Sequence, residues 1–124
     1  MAVPETIDGV VVDSKAQFES VKGVLLDGEA LDAVFDVRGA GTTVFAVTSK
    51  RLILGDKAAP SDLGHVTSVP YGRVYWVHAE VGGGLLGRDA SRLIVEAAGT
   101  KIELELKGRD GARRAHDLIL RHLL

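Results

Sequence analysis

The chain contains no cysteine, which excludes disulfides, thiolate zinc sites and cysteine nucleophiles together. Aromatic residues are scarce, at 5% with a single Trp, so the position of that Trp carries unusual weight. Prolines stand only at positions 4, 60 and 70, leaving long stretches free to form regular elements. Positive charge is not in excess: 15 Lys and Arg face 17 Asp and Glu, a net charge of −2. That balance argues against nucleic-acid binding, which needs a basic surface to displace counterions from phosphate. No apolar run approaches the roughly 18 residues of a membrane span, and Met1–Gly9 lacks a basic start followed by an apolar core. The expectation is a cytoplasmic protein. What is present suits an ordinary globular protein, with 124 residues, 46% hydrophobic and 26% charged, a length that favours one domain.

Charge is uneven along the chain. Residues 1–36 hold eight acidic and two basic residues, a sum of −6, whereas residues 37–124 hold nine and thirteen, a sum of +4. Scattered surface charge accounts for this, and so does an acidic N-terminal part set against the basic remainder or a neighbouring copy.

Periodicity divides the chain further. Residues 1–12, with Pro4 and Gly9, read as a lead-in arm with a short strand at Val10–Val12, ahead of a single domain over 13–124. Ser14 and Gln17 have the spacing of a capping box, and Phe18, Val21 and Leu25 continue an apolar stripe. A short helix over 14–25 is predicted, ended by Asp27-Gly28. From Glu29 the period becomes two: Leu31, Ala33, Phe35 and Val37 alternate with Asp32, Val34, Asp36 and Arg38, the mark of a half-buried strand. Thr42–Thr48 is apolar on both faces and β-branched, as in a central strand. Arg51–Leu54 follows, then an exposed loop over Gly55–Gly64, then strands at Val66–Val69, Val74–Val81, Arg92–Ala97 and Lys101–Lys107, the last two joined across Ala98-Gly99-Thr100 as a hairpin. Asp110 is placed as an N-cap for a helix over 111–123, with Ala112, Ala115, Leu118, Ile119 and Leu123 as its apolar stripe. Asp110 with Arg114 and Asp117 with Arg121 have i, i+4 spacing.

Seven strands and a closing helix resemble the bacterial pleckstrin-homology-like (PH-like) superfamily, close in layout to GRAM-type domains. The resemblance is carried by "LLDGEAL" (25–31), "TTVFAVTSKRLIL" (42–54) and "VPYGRVYWV" (69–77), and above all by Thr48-x-x-Arg51 followed by aliphatic residues. It implies a mainly β fold of about seven antiparallel strands in a partly open barrel, with a C-terminal capping helix and a short N-terminal helix. Phosphoinositide-binding relatives gather Lys and Arg between their first two strands, where this chain has only Arg38 followed by Gly39-Ala40-Gly41.

Chemical signatures are incomplete. Gly82–Gly87 satisfies G-x-G-x-x-G after a strand, with Glu103 beyond it, but a dinucleotide site needs a helix directly after the glycines, and here a strand follows. His78-Ala79-Glu80 has the H-x-E spacing of zinc deaminases, whose sites need cysteine ligands that are absent. His116 and His122 are not at the i, i+4 spacing of a helical metal pair, and His65 has no identifiable partner. No catalytic residue, cofactor or metal is assigned. The reading is non-enzymatic.

Two orientations suit the strand at 74–81. With Tyr75, Val77 and Ala79 inward, Val74, Trp76 and His78 lie outward beside Ile94 and form a candidate interface; with Trp76 inward, the other face is wet. The resulting expectation is an interaction module acting through protein contact, as a homo-oligomer or with an unidentified partner. The alternatives are a peripheral module binding anionic phospholipid weakly through Arg38, Lys50 and Arg51, and a small-ligand enzyme.

Overall fold

The computed structural model describes residues 5–7, 9–38, 42–59, 62–82 and 89–124. Nine strands and two α-helices follow in order: β1 (Glu5–Ile7), β2 (Val10–Val12), α1 (Lys15–Lys22), β3 (Leu31–Arg38), β4 (Val44–Thr48), β5 (Arg51–Ala59), β6 (Asp62–Pro70), β7 (Val74–Glu80), β8 (Ala90–Ala97), β9 (Thr100–Lys107) and α2 (Gly111–Leu123). A 3-10 turn at Tyr71–Arg73 links β6 to β7. Seven antiparallel strands run in the order β6-β5-β4-β3-β9-β8-β7, and β2 adds to β3 in parallel after its hairpin with β1. The fold is the expected mainly β one. Among the described residues its two edges, β6 and β7, pair with no further strand.

Alternation decides which faces are covered. Ala33, Phe35, Phe45, Val47, Leu52 and Leu54 meet Leu93, Val95, Leu104 and Leu106 inside the curved sheet, where Ala112, Ala115 and Ile119 of α2 close the open side. Phe35 and Phe45 are cross-strand partners with stacked rings 6.3 Å apart, a pairing that adds to simple burial. The opposite face of β3–β5 carries Val34, Val44, Ala46 and Ile53, covered by Val10, Val12, Phe18 and Val21. This two-sided cover explains why every residue of β4 is buried.

Local capping departs from the sequence reading at both helices. Ser14 does cap α1, its hydroxyl accepting from the Gln17 amide, but the Gln17 side chain donates to the Thr43 carbonyl instead of reaching back. The helix also ends at Lys22, not 25. At α2, Asp110 makes no side-chain cap bond and lies outside the extended region that a cap requires; the buried Ser91 hydroxyl accepts from Ala112 N–H at 2.8 Å in its place. On the surface of α2 the ion pair formed is Arg113 with Asp117 at 3.5 Å, while neither expected i, i+4 pair is present among the described residues.

The loop expected over Gly55–Gly64 is instead largely the extension of β5 and β6, paired antiparallel from Arg51↔Pro70 to Ala59↔Asp62 with register shifts between Asp56 and Ala59, and 60–61 lies outside the described residues. Gly55 is a packing residue there: a Cβ would come within 2.9 Å of Leu63 Cδ1 and 3.1 Å of Val44 Cγ1. Of the glycine run, 83–87 lies outside the described residues.

Candidate functional site

β7 is short, and it forms a sheet edge. Its pairing with β8 runs Val74↔Ala97, then, after a bulge, Trp76↔Glu96 through Glu80↔Arg92. A bulge places two residues against one and changes the face of what precedes it. Val74, expected on the outward patch, is therefore buried in the core at 8% exposure, while both Tyr75 (72%) and Trp76 (37%) are exposed. Beyond the bulge the alternation is regular: Val77 and Ala79 pack inward and His78 is exposed.

The outer face is built in cross-strand rows. Trp76, Glu96 and Lys101 form one, with the Lys101 ammonium 5.8 Å from the Trp76 ring centroid, a cation–π distance. His78, Ile94 and Glu103 form the next, so Trp76, His78 and Ile94 are neighbours. The third alternates charge through Glu80, Arg92, Glu105 and Arg38, with Arg92–Glu80 at 3.7 Å and Arg38–Glu105 at 3.9 Å. Around the edge, a groove of about 570 Å³ with mixed polar and apolar walls lies between β7 and the end of α2, lined by Val74, Tyr75, Trp76, Leu120, His122 and Leu123 among others. Leu124, 95% exposed, stands at its rim.

The basic residues tell a different story. Arg51 is engaged within the fold: its Nε and Nη2 each donate to Glu29 at 2.9 Å, Nη1 to Ser68 Oγ at 2.6 Å, and Nη2 also to the Val24 carbonyl. Glu29 has no exposed side-chain surface and accepts in addition from Thr48 Oγ1 at 2.6 Å and Leu26 N–H at 2.9 Å. The Arg51 guanidinium beside it holds its carboxyl at about 2, helped by the Leu26 and Thr48 donors and opposed by burial. Thr48-x-x-Arg51 is thus a structural clasp that ties the β4–β5 turn to the segment before β3. Lys50 is exposed, and Arg38 is shared with Glu105.

Histidines serve mainly as local partners. His122 Nε2 lies 2.7 Å from Asp32 Oδ2, and its ring stacks on Tyr71 at 4.6 Å. Tyr71 donates from its hydroxyl to the Thr48 carbonyl, and burial pushes its ionisation upward. His116 contacts Asp117 at 2.9 Å and His78 contacts Glu80 at 3.5 Å, while His65 is exposed. Among the described residues, no group of three or more metal-ligating side chains occurs and no helix is long and apolar enough to cross a membrane. The Glu29 clasp and the Asp32–His122–Tyr71 contact were not foreseen. Glu29 in "LLDGEAL" had no partner legible within its own segment.

No protein-family model and no curated protein matches the chain. Solved structures do. A pleckstrin homology domain from Shewanella amazonensis SB2B is 22% identical, with 91% of each chain covered and a TM-score of 0.57. A DUF1696 family protein with a pleckstrin-homology domain, from Shewanella loihica PV-4, is 25% identical, with 84% of this chain and 87% of that chain covered and a TM-score of 0.57. A PH-domain-containing bacterial protein from Exiguobacterium sibiricum 255-15 shares 15% identity over 89% of this chain and 56% of its own, with a TM-score of 0.54.

Proposed function

We propose, from the premise that the chain is a bacterial PH-like domain in fold, that it is a non-enzymatic interaction module acting through protein contact, its first partner being a second copy. One observation carries this reading. The edge strand β7 presents the only Trp of the chain at 37% exposure, beside Tyr75 at 72%. An edge strand offers a row of unpaired N–H and C=O groups to another chain unless charge, Pro or cover blocks it. β7 contains no Pro, and its one acidic residue, Glu80, is already drawn toward Arg92 and His78. Trp and Tyr are the side chains that most often anchor interfaces, because they bury much area at low entropic cost.

The lipid reading is weaker. With Arg51 drawn to Glu29, Ser68 and the Val24 carbonyl, only Arg38 and Lys50 of its three cations remain, too few to hold a multiply charged head group. The enzyme reading has no constellation to rest on among the described residues. In light scattering the wild type should have a mass above that of one chain, and Trp76→Glu should lower it while leaving a β-type dichroism spectrum and a cooperative melt. A monomeric wild type at high concentration would reject the proposal. A Trp76→Glu protein that keeps the wild-type mass would move the contact away from β7.

A further inference from the structure

The backbone of β7 specifies how a second copy can join it. β8 and β9 are connected by the two residues Ala98 and Gly99, both with positive φ (50° and 84°), between the paired residues Ala97 and Thr100. Such a two-residue turn follows a pair that exchanges both backbone hydrogen bonds. Ala97 therefore points its N–H and C=O at β9, and with a period of two so do Val95, Leu93 and Ser91. Glu96, Ile94 and Arg92 point theirs at β7 instead. Their partners Trp76, His78 and Glu80 face back toward β8. The backbone groups of Val77 and Ala79 are left aimed at the free edge.

A second copy in one continuous sheet must keep inward residues beside inward residues, which allows only registers shifted by two. Centring a two-fold axis on Val77 would set Ala79 against Tyr75, a residue in the bulge, and Glu80 against Val74, which turns into the core. Centring it on Trp76 would lose Ala79 to the 3-10 turn at Arg73. Centring it on His78 has neither fault. Val77 then meets Ala79 of the second copy and Ala79 meets its Val77, so that four outward-pointing N–H and four C=O groups are brought to two hydrogen-bonding pairs. On the outer face each Glu80 comes opposite the other copy's Trp76, which carries the Lys101 ammonium over its ring. Carboxylate thus meets cation at both ends of the contact, and the inward face joins Val77 and Ala79 to their counterparts.

Granted the self-association proposed above, on which this step rests, we infer that two copies join antiparallel along β7 about a two-fold axis at His78, with Val77 bonded to Ala79 across the contact. The chain has no cysteine, so single substitutions report the register without background. At a non-hydrogen-bonded antiparallel pair the Cα atoms lie about 4.5 Å apart, inside the range of a disulfide, whereas diagonal neighbours lie about 7–8 Å apart. Under mild oxidation, His78→Cys should become mainly disulfide-linked dimer, and Val77→Cys should remain mostly unlinked. Mixing Trp76→Cys with Glu80→Cys should yield the mixed dimer in preference to either homodimer. Predominant linking of Val77→Cys, or a dimer by mass in which none of these variants links, would overturn the register while leaving self-association standing. A wild-type monomer would remove both.

Discussion

Glu29→Gln tests the clasp that the fold uses in place of an anion site. The substitution keeps the shape of the side chain and removes its charge. Gln offers one carbonyl oxygen where the carboxylate now accepts from Thr48, Leu26 and two nitrogens of Arg51, and its NH2 group must face donors on one side. The Arg51 guanidinium, only 14% exposed, is left without its counter-charge. Removing one partner of a buried pair costs about 3–5 kcal/mol, because the remaining charge stays desolvated, against a total stability of about 5–15 kcal/mol for a domain. A loss near 3 kcal/mol corresponds to a fall in Tm of about 10–20 °C at this chain length. Urea unfolding should show a lower midpoint with an unchanged slope. Arg51→Met should also be destabilising, and the double variant should lose less than the two single losses combined, since neither charge is then stranded. A Glu29→Gln protein within about 1 kcal/mol of wild type, or strict additivity in the cycle, would refute the reasoning, because surface pairs contribute no more than that.

Other consequences are direct. Because Glu29 is held at about 2 in the fold against an ordinary value of 4.5, its contribution is fully present above pH 4.5 and lost as pH falls toward 2; the urea midpoint should drop over that window more in wild type than in Glu29→Gln. Asp13, raised by burial, acts with the opposite sign and is common to both proteins. Ile119→Asp places a charge at a fully buried position against the core and should abolish cooperative thermal unfolding; an unchanged melt would mean that α2 is not docked. Binding to anionic vesicles should be weak and indifferent to head-group identity at equal charge, in keeping with about 1 kcal/mol per well-placed cation, and a strong preference for one phosphoinositide in a sedimentation assay would contradict it.

Much of the architecture was legible because period reports cover. β9 alternates Leu104 and Leu106 with Glu103 and Glu105, and the former are buried as the pattern requires. α2 was bounded correctly by its apolar stripe even though its cap came from Ser91 on β8, a contact across 21 residues that no local pattern encodes. The β5–β6 extension was illegible for the opposite reason: Gly55 and Asp56 have turn chemistry, and cross-strand pairing overrode it. For the candidate site, alternation put Trp76 and His78 on one face but could not reveal the bulge that turns Val74 inward. Arg51 was flagged by its motif, but its pairing with Glu29 was not legible, since that carboxylate lies 22 residues earlier. The contact of His122 with Asp32 spans 90 residues.

Amide hydrogen exchange of β7 as a function of protein concentration tests the central claim most directly. The N–H groups of Val77 and Ala79 face the free edge, so in a monomer they exchange quickly, whereas those of Trp76, His78 and Glu80 are bonded to β8. If copies associate through this edge, protection of Val77 and Ala79 should rise with concentration while the alternate amides change little, and Trp76→Glu should abolish the rise. Fast exchange of Val77 and Ala79 at every concentration, in protein whose β8 and β9 amides are well protected, would contradict association through β7.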